Sequence, residues 1–227
     1  PLDRHRLVAL AFLHDPGKAG AGFYSRGLSA DVRLAWKRDA GAQNDQMGHV
    51  DVVAPLFQGD ATYSAHQEAL GVESVLRWGG TRQSEQAVVY DLWLASISHH
   101  GKPVTGASQR RQQQRWPTWT HPVAGYDPLH GLQHLGQAAR ELFPDAFDLQ
   151  ETMARVDHGL VHALAGLVSL ADWIGSNTEA GFFPFDDVGP QSIARWPAAR
   201  KRAGEVLRRM RIDVGDLGPG IPEDERH

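Results

Sequence analysis

The sequence predicts an all-α chain, and three observations predict it. Apolar residues recur at helical spacing in one segment after another. The alternation of a strand is almost absent. The breaks between periodic segments carry glycine and proline. With 227 residues the chain can bury a sizeable core as one domain.

The elements follow in order. Leu7, Leu10, Ala11 and His14 share a face, so residues 2–14 read as a helix, interrupted by Pro16 and Gly17. A residue before proline is biased away from the α region, which places residue 15 at the helix end. Residues 20–28 read as loop, and 32–40 and 50–57 as short helices. A longer helix over 65–78 ends at Gly79 and Gly80. Another covers 84–99, with Ser84 as N-cap, Glu85 in the first turn, and Gly101 and Pro103 beyond its end. Residues 105–128 lack helical period and contain Arg110, Arg111, Arg115, Trp116 and Trp119, a long loop of the kind that is functional or disordered. Helices are expected over 129–142 and 149–176, with a turn at 143–148 and a loop at 182–189. A last helix over 191–210 carries arginines on its outer face, followed by a glycine-, proline- and acid-rich tail.

Composition narrows the chemistry. No cysteine is present, so thiolate metal sites and disulfides are excluded, and any metal must be held by histidine and carboxylate. This fits a reducing cytoplasm, the expected location. A net charge of −4 argues against coating nucleic acid through global charge. The 12 histidines outnumber the methionines fourfold. The most apolar stretch, 159–175, includes His162 and Asp172 and reads as a buried helix; no membrane association is expected. The first residue is Pro1, directly before a helical pattern, as in a domain taken from a longer protein.

Four clusters carry chemistry. In HDPGK, His14 and Asp15 put a nitrogen and an oxygen ligand together at a helix end, and Lys18 is placed to meet a phosphate. In SHHG, His99 and His100 are adjacent. Neighbours on a helix diverge by about 100°, so both serve one site only where the helix stops, and Gly101 supplies that stop. A lone intermediate histidine is either His66, in SAHQEAL, or His49, in MGHVDVV. Asp172 stands in the apolar stretch LVSLADWIGSN, and a buried carboxylate needs a cation, a metal or several donors. His158 and His162 lie on one helical face, but His158 is roughly 21 Å along the axis from Asp172 and cannot join its site.

An HD pair, a following lysine, a later histidine, a double histidine and a distal aspartate, in that order, resemble the HD superfamily of metal-dependent phosphohydrolases. SHHGKP and GLVSLADWIGSN are similar to the matching segments of the CRISPR-associated HD nuclease of type I interference. The resemblance runs through motifs over about residues 7–185. It implies one HD nuclease domain over 1–227, an HD-type helical bundle around a central metal site, with a C-terminal helix and tail at 186–227. It implies metal ligation by His14, Asp15, His99, His100 and Asp172, with Asp15 bridging two ions. The intermediate ligand is His66 or His49. His66 is preferred because it precedes His99 by 33 residues and heads a helix.

The implied activity is a metal-dependent phosphodiesterase that cuts single-stranded DNA. Its expected partners are a superfamily 2 helicase and the type I surveillance complex. Asp15 and Lys18 are the catalytic candidates, and Ser176 or Asn177 could help orient the scissile phosphate. Histidine-rich ligation favours two divalent transition metals, drawn from manganese, iron, cobalt or nickel. The same ligand chemistry would serve an HD-type nucleotide or cyclic-nucleotide phosphohydrolase, the alternative. One departure stands out: the family has a further histidine ligand well upstream of the HD pair. Here His5, nine residues before His14 and roughly 13 Å along a helix, is too far to share its metal.

Overall fold

The computed structural model describes residues 2–41, 48–57, 61–101, 117–148, 152–153, 158–177 and 192–212. Among these the chain is all-α, with one isolated bridge, Val123 to Tyr126, and no strand. It divides into two compact units, Pro1–Leu170 and Ala171–His227.

In the first unit, α1 (Leu2–Phe12) runs to the HDPGK turn. Its ladder ends where the Leu13 amide donates to the Ala9 carbonyl. Pro16 then opens a 3-10 turn, Pro16–Ala19, the N-terminal position where a missing N–H costs nothing. The expected loop at 20–28 is instead helical: α2 (Ala21–Tyr24) and a 3-10 turn, Ser25–Gly27, lead to α3 (Ala30–Asp39). Residues Asp51–Phe57 wind as 3-10 rather than α, because Pro55 sits inside and cannot donate the α-type bond.

The helix expected over 65–78 is broken. It forms α4 (Ser64–Leu70), α5 (Val72–Leu76) and a 3-10 turn, Arg77–Gly79. The break is Gly71, at φ +81°, a left-handed conformation that suits glycine. The Arg140 guanidinium lies across it, 2.3 Å from where a Cβ would stand.

Helix α6 (Gln83–Ile97) is capped at Arg82, two residues before the expected Ser84. Glu85 accepts from the Arg82 amide at 3.1 Å, which satisfies a donor the helix itself cannot. At the other end Gly101 takes φ +72°, the expected stop. Then come the short α7 (Pro117–Thr120) and α8 (Pro128–Leu142), the latter capped by Asp127, which accepts from the Leu129 amide at 2.9 Å. The expected turn at 143–148 contains a 3-10 turn, Pro144–Phe147. Arg110, Arg111, Arg115 and Trp116 lie outside the described residues, as does the acid-rich tail.

Packing explains how the helix ends meet. Leu10, Leu13, Leu92, Trp93 and Ile97 are fully buried, each side chain contributing roughly 1.5–3 kcal/mol by leaving water. Trp93 of α6 donates its indole N–H to the Leu13 carbonyl at 3.2 Å, which holds the C-terminal part of α6 against that of α1. The buried Ser96 hydroxyl donates within α6 to the Trp93 carbonyl at 2.8 Å, with its oxygen 3.4 Å from the Leu10 carbonyl. Trp119 of α7 is buried as packing and donates to the Val52 carbonyl at 2.7 Å. Arg6, fully buried in α1, donates to the carbonyls of Ala146 and Asp148.

Helix α9 (His158–Ser176) crosses from one unit into the other. It is not the buried helix its composition suggests. Only 17% of the window 159–176 is buried, and Leu160, Leu167, Leu170 and Trp173 are exposed. By length and composition alone it could cross a membrane. In the second unit, α10 (Ser192–Met210) exposes Arg195, Arg200, Arg202, Arg208 and Arg209.

Candidate metal centre

The centre is built where helices stop. Asp15 follows α1 with φ −119° and ψ 45°, outside helical geometry, so its side chain leaves the direction of the preceding turn. His14 precedes it, and His99 and His100 follow α6. His49 arrives from the segment before the 3-10 turn at Asp51.

Asp15 is the hub. Its Oδ2 lies 3.1 Å from His14 Nε2, and its Oδ1 lies 3.1 Å from His49 Nε2 and 3.6 Å from His99 Nε2. Lys18 Nζ also pairs with Oδ2. Burial works to raise the Asp15 carboxyl, but contacts from His14, His49 and Lys18 outweigh it and hold the group well below the ordinary carboxylate range. The carboxylate therefore carries its charge throughout the neutral range. Both of its oxygens are buried among His14, His49, His99 and Lys18.

The imidazoles are oriented from behind. His14 Nδ1 lies 2.7 Å from the Ala11 carbonyl and His99 Nδ1 lies 3.2 Å from the Ser96 carbonyl. A carbonyl only accepts, so each Nδ1 carries a proton, which leaves each Nε2, facing Asp15, as the ring atom that a metal would take. This is the arrangement that orients metal-binding histidines. Ser169 of α9 donates to the His99 carbonyl at 2.6 Å and pins that segment. His100 Nε2 lies 3.1 Å from His49 Nε2, two ring nitrogens at a separation that needs a proton or a cation between them.

Two overlapping donor groups result. His14, Asp15 and His99 offer atoms within 4.8 Å of one another, and so do His49, His99 and His100. The donor set is imidazole nitrogen plus one carboxylate, which suits divalent transition metals. The buried Asp15 oxygens and the facing His49 and His100 nitrogens fit such ions.

The preference for His66 is not met. Its Nε2 donates to the Trp119 carbonyl at 2.9 Å, and its ring packs near Tyr63 and Trp119. It belongs to neither donor group, and His49 occupies the intermediate position. His66 sits inside the regular helix α4, where its direction is set by the helix. His49 lies on irregular backbone, and no periodicity marks it.

Gly17 explains how His49 gets there. A Cβ on Gly17 would stand 1.7 Å from the His49 carbonyl oxygen and 2.6 Å from its carbon. The backbone of His49 thus docks onto the HDPGK turn in the space of a missing side chain. This close approach was a signal the motif carried, in the glycine between Pro16 and Lys18.

Asp172 belongs to the second unit, on the last turns of α9, part-buried, with the Ser176 hydroxyl donating to its Oδ1 at 3.1 Å. His5 pairs with Asp145 at 3.4 Å, and His130, His134 and His162 are exposed.

The model for the HD domain of Cas3 matches residues 2–181, most of the chain. No curated protein and no solved structure matches it. The all-α fold, the histidine–aspartate cluster at the helix ends and this match agree: the chain belongs to the family of Cas3 HD domains, CRISPR-associated members of the HD-type metal-dependent hydrolases.

Proposed function

We propose that the chain hydrolyses phosphodiester bonds of single-stranded DNA in type I CRISPR interference, working with a superfamily 2 helicase and the surveillance complex. The observation that supports this most is Asp15, a charged carboxylate whose buried oxygens have three imidazoles within 3.6 Å and Lys18 beside them. A carboxylate kept in that state by its neighbours is a metal ligand before it is anything else.

His14, Asp15 and His99 would hold one divalent ion, completed by Asp172 as the family pattern implies. His49, His99 and His100 face a second. Bound ions would activate water and offset charge on the phosphate. The protein's own part is to position and to balance charge. Asp15 lends its negative charge to the centre. The carbonyls of Ala11 and Ser96 hold the Nε2 atoms of His14 and His99 forward. Lys18, half-exposed beside Asp15, is placed to meet a non-bridging phosphate oxygen, and Ser176 or Asn177 would assist in orienting it. No side chain need act as nucleophile.

The test is incubation of circular and linear single-stranded DNA with the protein and each divalent transition metal in turn. Cutting of the circle supports an endonuclease. Turnover of nucleotide monophosphates or cyclic nucleotides, with DNA untouched, supports the other HD chemistry and removes the nuclease reading.

A further inference from the structure

Helix α2 with the 3-10 turn Ser25–Gly27 after it, together the α2 turn, lies directly beside the centre and carries aromatic and basic side chains. Phe23 meets His49 edge-on, with ring centroids 5.6 Å apart. The Arg26 guanidinium lies 5.2 Å from the centre of the Phe23 ring. Tyr24, 42% exposed, stacks flat on Tyr126, with centroids 4.0 Å apart and planes within 7°.

This rim is held rigidly. The Gly22 amide donates to Thr118 Oγ1 at 3.0 Å, and the buried Ser25 hydroxyl donates to the Gly22 carbonyl at 2.8 Å. Tyr126 donates its hydroxyl to the Ala19 carbonyl at 2.8 Å. Below lies a small core of Ala21, Trp36 and Val123, with Trp36 donating to the His121 carbonyl at 3.0 Å. A surface turn fixed at so many points keeps its exposed rings in place before any ligand arrives, which lowers the entropy lost on binding.

Its charge also runs against the rest of the chain. The whole sequence carries −4, whereas residues 21–40 hold four cations, Arg26, Arg33, Lys37 and Arg38, against two carboxylates, Asp31 and Asp39. An arginine and an exposed aromatic face on a rigid, locally basic surface are what single-stranded nucleic acid binds: phosphate on the cation, base on the ring.

We propose that the α2 turn is the ledge on which the single strand lies as it reaches the centre, with a base stacked on Tyr24 and a backbone phosphate on Arg26. This rests on the substrate reading above. Neither residue belongs to the metal cluster, so the ledge governs the polymer and not the chemistry.

The test is steady-state cutting of a labelled oligothymidine by the full chain with manganese, over a potassium chloride series. Hydrolysis of bis-p-nitrophenyl phosphate serves as the small-substrate control. For Tyr24→Ala, KM for the oligonucleotide should rise on the order of tenfold, with kcat and the salt slope unchanged. For Arg26→Ala the slope of log kcat/KM against log salt should become shallower by about 0.7, the value for one lost phosphate contact on a single strand. Tyr24→Phe and Arg26→Lys should restore wild-type behaviour, and the small phosphodiester should be hydrolysed normally by all four. Wild-type KM and slope in both alanine variants would overturn the ledge and leave the nuclease reading standing. Equal loss on both substrates would overturn it too, by showing a structural role. A wild-type protein that hydrolyses nucleotides but no strand overturns the substrate reading and the ledge with it.

Discussion

The segment carrying His49 and the helix carrying His66 are both close to Trp119, and they use it differently. Trp119 donates its indole N–H to the Val52 carbonyl, three residues beyond His49, and its own carbonyl accepts from His66. One histidine is delivered to Asp15 by irregular backbone. The other is spent on fastening the tryptophan that steadies that backbone. His14, Asp15, His99 and His100 share with His49 a place outside regular helix. In this fold helices supply rigidity and their ends bring the candidate ligands together, because adjacent side chains diverge within a regular helix.

The comparison can be broken most severely at Asp15. Asp15→Ala removes the one carboxylate at the hub, and hydrolysis should fall by more than about a hundredfold, beyond the cost of losing a supporting residue. Helical circular dichroism should be retained. Near-normal turnover in a folded variant would show that the cluster is not the active centre.

The next test sets the two histidines against each other. His49→Ala should lower both bound metal and hydrolysis, measured by elemental analysis and steady-state rate. His66→Ala should leave metal content unchanged and cost about 1 kcal/mol of stability in a denaturant titration, for one lost hydrogen bond. The opposite ranking would return His66 to the metal.

Gly17 sharpens the point further, since it tests delivery rather than ligation. In Gly17→Ala the new methyl collides with the His49 carbonyl. Displacing a ligand by about 1 Å is enough to cost on the order of a hundredfold in rate. Gly27→Ala, where nothing lies within 4 Å, should be silent in the same assay. Equal rates for the two variants would mean that His49 is placed by something else.

These contrasts also show what the sequence made legible. HDPGK and SHHG were readable as candidate sites because their histidines and aspartate are adjacent and Pro16 and Gly101 announce the helix ends that adjacency requires. The broad helical pattern held for α1, α3, α6, α8 and α10. His49 was named only as the second choice because irregular backbone has no period, and an argument from helix placement favours a residue such as His66 by construction. The break at Gly71 was hidden for another reason. A single glycine is tolerated within a helical pattern, and what makes it a break is Arg140, distant in sequence. Exposure on α9 was illegible because an apolar run reports composition and not what covers it.

The smallest effect is expected at Ser169. Ser169→Ala removes the donor to the His99 carbonyl, and stability should drop by roughly 0.5–1.5 kcal/mol with a modest loss of rate. No change in either would mean that α9 does not help to fix the His99 segment.

The central claim is that the histidines around Asp15 bind the catalytic ions, and X-ray absorption of the cobalt-loaded protein tests it most directly. The account predicts a mixed nitrogen and oxygen shell with the outer-shell scattering of imidazole, reduced in His49→Ala and His99→Ala and unchanged in His66→Ala. An oxygen-only shell, indifferent to those substitutions, would contradict it.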